Sequence, residues 1–231
     1  MKLNNFLATA GLVFGFTDWV PSVRAQVTEV FGTAPNVSIL DNNLAGVSSS
    51  QLINSSILSI TDVDVHVTIT GGWNGDLFLY LVHNGGFSVL LNRPGRTAAD
   101  GFGYSDAGFN IDFDDAAANG DVHYYRTVLN PAGSFLTGVW APDARTSVPS
   151  ATVDIAPRSA FLSAFNGQDP DGTWTVFAAD LSPGGISTLS DWSLRITGVV
   201  PETSGVYGGV AVGLLGLAMW FRRSARRTWS V

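Results

Sequence analysis

The sequence contains no cysteine. That removes disulfides and thiolate metal sites together, and leaves a packed core, with or without bound cations, to hold the fold. Lysine is nearly missing: Lys2 is the one example, and residues 26–200 have none. Gly-x-x-x-x-Gly-Lys is therefore absent, and with it the usual phosphate cradle. Glutamate is as scarce between 26 and 200, where Glu29 stands alone, so a glutamate pair for glycoside hydrolysis is impossible there. Serines are plentiful, but none sits in a Gly-x-Ser-x-Gly turn. No apolar stretch of this region holds a helical period. The chain reads as all-β, and no catalytic constellation is identifiable in it.

What is present is glycine, aspartate and aromatic side chains. Twenty-six glycines and an 11% aromatic content favour many short strands joined by tight turns. Charge is unevenly placed. Residues 26–200 carry seventeen carboxylates, sixteen of them aspartates, against six arginines, a net of −11 with histidine neutral. Nucleic acid is not expected as a partner, because phosphate binding needs a basic face. Calcium is, because it takes aspartate and backbone oxygens; solubility alone is the plainer use of the same charge.

Both ends differ from the middle. Residues 1–25 have the layout of a secretory signal: Lys2, an apolar run Phe6–Phe16, and Val23-Arg24-Ala25 as a small-residue cleavage site before Gln26. Residues 26–35 follow as a linker. At the other end, residues 199–205 form a linker with Pro201-Glu202, residues 206–221 an apolar run, and residues 222–231 a basic tail opened by Arg222 and Arg223. Sixteen helical residues span roughly 24 Å, enough to enter a bilayer, and arginines behind them place the tail in the cytoplasm.

Between these ends, residues 36–198 form one domain. Val63, Val65, Val67 and Ile69 alternate with polar residues as a half-buried strand does. Leu77–Val82 is apolar on both faces, the pattern of a central strand covered on each side. His83-Asn84-Gly85-Gly86 turns the chain into Phe87–Leu91. From Asn92 to Ser150 the text loosens, and only Val122–Leu129 suggests a strand. Val153 and Ile155 suggest another, and Pro157–Phe165 a single helical turn. Phe165–Gly198 organises the rest: two alternating runs around a turn at Asp180–Ser187 place Trp174 and Val176 on one face, and Trp192, Leu194 and Ile196 on one face, as a closing hairpin.

His66, His83 and His123 have no metal-ligand spacing and read as surface or loop residues. Carboxylates concentrate in two turns, Asp112-Phe113-Asp114-Asp115 and Asp169-Pro170-Asp171-Gly172, where carbonyls are also free to coordinate. Asp112, Asp114, Asp115, Asp169 and Asp171 are thus the candidate calcium ligands, although Asp171-Gly172 is also an ordinary turn pair. Trp73 and Trp140, in loops, are candidate platforms for a saccharide, or else core plugs.

Several of these blocks together resemble the P domain (Homo B domain) of subtilisin-like proprotein convertases. They are Ser38-Ile39-Leu40-Asp41-Asn42 with Gly46-Val47-Ser48-Ser49, then Val63–Thr70 and Gly75-Asp76-Leu77 with Leu79 and Leu81, and finally Phe165-Asn166-Gly167, Asp171-Gly172-Thr173-Trp174 and Leu189–Leu194. The resemblance covers about 36–198. It implies an eight-stranded jelly-roll β-sandwich that stabilises and regulates a protease, often binds calcium, and does no chemistry itself. The tail resembles a PEP-CTERM sorting signal, with Thr203 where that signal carries proline. It implies a transmembrane helix, an exosortase as processing enzyme, and delivery to a bacterial envelope or exopolysaccharide matrix. The expected protein is a non-catalytic, exported sandwich for binding, adhesion or matrix assembly. A protease accessory or a carbohydrate-binding module is the alternative.

Overall fold

The computed structural model describes residues 25–201. The signal segment up to Arg24, Glu202, the apolar run 206–221, Arg222 and Arg223 lie outside the described residues. Pro201 is exposed at the end of the described chain. Among the described residues no helix is long and apolar enough to cross a membrane.

Ten strands form two sheets. In chain order they are β1 (Ala25–Thr33), β2 (Val37–Ile39), β3 (Asn43–Ile53), β4 (Ser59–Gly71), β5 (Leu77–His83), β6 (Gly86–Asn92), β7 (Gly108–Phe113), β8 (Leu136–Trp140), β9 (Gly172–Asp180) and β10 (Ser187–Val200). The larger sheet runs β1-β10-β4-β7-β8, with β2 continuing β1 along the same flank of β10. The smaller runs β3-β9-β5-β6. All pairings are antiparallel except β7 with β8. Alternation along the strands turns one apolar face of each sheet inward, and both faces meet in one core. Val65, Val67, Phe109, Ile111, Leu194 and Ile196 come from the larger sheet, and Leu79, Leu81, Trp174 and Val176 from the smaller.

The two tryptophans face inward as their spacing requires, but their strands are not a hairpin. β9 belongs to the smaller sheet and β10 to the larger, so residues 181–186 arch across the end of the sandwich. A six-residue connection has the reach for this, and it lets the indoles approach the core from opposite layers. The Trp192 Nε1–H crosses that core to donate to Ser49 Oγ on β3 at 2.9 Å.

Other expectations change as well. Residues 26–33, expected as a linker, form β1, where Val27, Glu29 and Phe31 alternate against β10. Inside the loose stretch lie β7, through Phe109, Ile111 and Phe113, and β8. Val122–Thr127 is a 3-10 helix, opened by Asp121, whose side chain accepts the His123 N–H. Its apolar residues Val122 and Tyr125 recur every third position, which suits that helix and not a strand. Residues 151–156 are turns with Ile155 85% exposed. The expected helical turn exists at Leu162–Phe165. β5 is central in its sheet, yet its outer side chains Phe78, Tyr80 and Val82 are only half covered.

Candidate functional site

The five carboxylates singled out from the sequence are separated and locally engaged. Asp112, on β7, stands opposite His66 of β4 and accepts from or pairs with its Nδ1 at 3.0 Å. Asp114 closes its own turn by accepting the Ala116 N–H. Asp115 caps the 162–165 helix, accepting the N–H groups of Leu162 at 3.0 Å and Ser163 at 2.8 Å. Asp169 accepts the Asp171 N–H, and Asp171 accepts the Ser55 N–H. Among the described residues no three His, Asp or Glu side chains gather as a metal-ligand group. These turns use their carboxylates as caps, the ordinary role of aspartate in such places.

Asp112 and His66 belong instead to an acidic outer face on the larger sheet. Val30, Asp64, His66, Asp112, Ser193 and Arg195 line a depression of about 200 Å³ there. Burial, reinforced by Asp62 and Asp114, pushes the Asp64 carboxyl up to about 6; Arg195, at 3.5 Å, opposes the rise. Asp64 therefore binds its proton more tightly folded than unfolded, and the sandwich loses stability as pH rises from about 4 to about 6. Asp64→Asn removes that loss. We expect its melting temperature to exceed wild type by roughly 3–6 °C at pH 7 and to match it near pH 3.5, in thermal melts across that range.

A buried ionic network pins the long segment between β7 and β9. His123 meets Asp143 Oδ2 through Nδ1 at 2.7 Å and the Arg96 carbonyl through Nε2 at 2.9 Å. Both ring nitrogens thus face acceptors, and neither contact is a hydroxyl that the imidazole could activate. Arg145 reaches Asp143 at 3.0 Å and Asp121 at 2.9 Å. His83, at the end of β5, is buried too, its ring stacked on Trp174 with centroids 4.0 Å apart. Two histidines that read as surface residues are therefore core polar groups. Nothing in their immediate sequence marks the partners, which lie 20 and 91 positions away.

Of the two candidate platforms, Trp140 is fully buried and its Nε1–H donates to the Thr137 carbonyl at 2.9 Å, so it is a core plug. Trp73 is partly exposed. The aromatic surface lies elsewhere. Phe78 and Tyr80 of β5, Phe87 of β6 and Phe177 of β9 form a continuous strip on the outer face of the smaller sheet. Tyr80 and Phe177 stack at 4.7 Å, and Phe87 stands 5.3 Å from Tyr80. Cross-strand neighbours on a pleated face bring them together. A groove of about 400 Å³ runs along this strip, bounded by Leu44, Val148, Pro149 and Leu181. At its end sits Arg93, buried, with φ at +56°, a strained value for arginine. Its Nε–H donates to the Gly75 carbonyl at 2.9 Å and its Nη2 to Ser182 Oγ at 2.7 Å.

The fold and these faces define an all-β, two-sheet sandwich with one acidic and one aromatic outer surface. No family model and no curated protein matches the chain. Among solved structures it is similar to the serine protease of Aeromonas sobria, alone and in complex with its chaperone. Both show a TM-score of 0.43 and 16% identity over 76% of this chain. The chain spans 27% and 28% of those proteins' length.

Proposed function

We propose that this protein is a non-catalytic, exported binding module that docks a polypeptide through the aromatic groove of its smaller sheet. The carrying observation is that groove. A sheet face turned to solvent is normally polar, whereas this one presents four aromatic rings with Leu44 and Val148 exposed beside them. Contiguous apolar surface of this kind marks interaction sites. Its rim favours a peptide over a sugar: only Arg93, Ser150 and the Tyr80 hydroxyl offer polar contacts, and a saccharide needs a denser set. An apolar or aromatic anchor side chain fills such a groove and leaves the rim to aliphatic contact.

In this reading the sandwich keeps the jelly-roll path that its sequence resemblance implies, and calcium stabilises it. It is carried to a bacterial cell envelope or matrix and tethered behind Pro201-Glu202 until an exosortase acts. Accessory service to a separate subtilisin-like protease is one form of such docking. The test is selection of a random peptide library on the purified protein. Selected peptides should carry an aromatic or aliphatic anchor. They should lose at least tenfold in affinity, about 1.4 kcal/mol, toward Tyr80→Ser/Phe177→Ser protein that melts as a cooperative unit. Undiminished binding by that variant would remove the groove from the account. Glycan binding abolished by the same pair would move the function to carbohydrate.

A further inference from the structure

The groove on the smaller sheet has a make-up that selects its occupant. Phe78 and Tyr80 of β5 and Phe177 of β9 supply its rings, and Leu44, Val148 and Pro149 its walls. Tyr80 and Phe177 lie within 15° of parallel, whereas Phe78 is inclined at 60° to the first and 65° to the second. The three rings therefore make a stepped notch and not a flat table.

Backbone pairing is closed to a ligand here. β5 is flanked by β9 and β6, and β9 by β3 and β5, so the main-chain groups beneath the groove are spent within the sheet. A strand-like peptide laid across the rings would bury its own N–H groups with nothing to receive them. The polar side chains of the groove do not receive them readily either. They are the hydroxyls of Tyr80 and Ser150 and the guanidinium of Arg93, all of them donors. Arg93 spends Nε and Nη2 on Gly75, Asp76, Gly101 and Ser182, which leaves Nη1 uncommitted. None of the seventeen carboxylates of residues 26–200 lines the groove. Charge and hydrogen bonding thus ask for the same ligand: one with carbonyls to offer, few N–H groups to lose and no positive charge.

Proline has that character. It lacks the N–H, and in the polyproline II conformation its carbonyls have no internal partner. Its ring packs on aromatic faces, and the conformation exists before binding, so little freedom is lost on docking. An amphipathic helix also hides its N–H groups, but it hides its carbonyls with them and would set alkyl side chains against three donors.

We propose that the groove binds a proline-rich segment free of lysine and arginine, in the polyproline II conformation. Its prolyl rings sit against Phe78, Tyr80 and Phe177, and the Tyr80 hydroxyl donates to one of its carbonyls. This rests on the docking role given above to the groove and names the occupant.

Two labelled peptides of equal length test it by fluorescence polarisation on the purified protein: an Ala-Pro repeat and an amphipathic Leu/Glu helix former. The Ala-Pro peptide should bind at least tenfold more tightly than the helix former, about 1.4 kcal/mol. It should lose at least tenfold toward Tyr80→Ser/Phe177→Ser protein. Should that pair fail to melt cooperatively, Leu44→Ser/Val148→Ser, at exposed walls of the groove, serves in its place. Tyr80→Phe, which keeps the ring and removes the donor, should cost about fivefold. Unchanged affinity in Tyr80→Phe would overturn the hydrogen-bond match on which the proposal stands. Ala-Pro binding that both double variants retain would overturn the location. Helix-former binding that the double variants abolish, with no Ala-Pro binding, would overturn the proline assignment and spare the docking role. Binding of neither peptide, with a peptide library that also selects nothing, would overturn both.

Discussion

Trp174→Ala should lower the melting temperature by about 10–15 °C. Trp174 is fully buried, lies against His83 at 4.0 Å and Phe165 at 4.9 Å, and its Nε1–H donates to the Pro170 carbonyl at 2.9 Å. Truncation removes the transfer term of the indole and leaves a cavity between rigid strands, about 3–5 kcal/mol. Each kcal/mol shifts the midpoint of a domain this size by roughly 2–4 °C. The change also strips His83 of the ring it stacks on. Out of a total stability of about 5–15 kcal/mol, this is enough to leave a measurable unfolded fraction at 37 °C. Ile155→Ala, at a residue 85% exposed, should change stability by less than about 0.5 kcal/mol. Equal losses at the two positions would contradict the core described above.

Asp143→Ala should cost nearly as much by a different route. The Asp143 carboxylate is buried and accepts from His123 at 2.7 Å and from Arg145 at 3.0 Å. It also accepts the Asn92 N–H at 3.3 Å, which joins the network to β6. Removing it leaves Arg145 to Asp121 alone and takes the Nδ1 partner from His123, where water does not reach. Breaking a buried pair by deleting one member typically costs about 3–5 kcal/mol. The loss should persist at high salt, because the groups lie inside the fold. It should also be local: limited proteolysis is expected to cut residues 146–156 in the variant long before the sheets. Asp143→Asn keeps acceptor capacity toward the backbone and should lose less. A variant whose 146–156 segment resists protease like wild type would show that the network does not pin this segment.

Much of the sandwich was legible because alternation is a local signal. β4, β9 and β10 each show it over enough residues to fix which face is buried. β7 shows it too, through Phe109, Ile111 and Phe113, but glycines and aspartates on both sides mask it. β8 has no such pattern: only Leu136 and Trp140, at its ends, are buried. The position of the aromatic strip was half visible. Phe78 and Tyr80 were apolar on what had to be the outer face of a central strand, and a covering layer was the expected reason. The observed reason is that Phe177 and Phe87 lie beside them on neighbouring strands. Charge pairing was the least legible. Asp143 with His123 and Asp76 with Arg93 are joined by the way loops and strand ends fold onto one another, and spacing along the chain says nothing of it. The conspicuous aspartates lie in turns, while the buried Asp76, Asp106, Asp143 and Asp180 stand singly in loops and at strand ends.

Strand order also decides how the molecule bears tension. Ala25 pairs with Val200 at the same end of the β1–β10 ladder, so a pull that separates these two residues opens that ladder one rung at a time. A pull on Val200 resisted from the aromatic face is different. β10 is flanked by β1 on one side and β4 on the other, with its register to β4 running from Ser187 to Val199. The strand must then slide past both neighbours with many rungs strained at once. A load applied at Val200 and resisted from the smaller sheet is therefore borne by both flanks of β10 together.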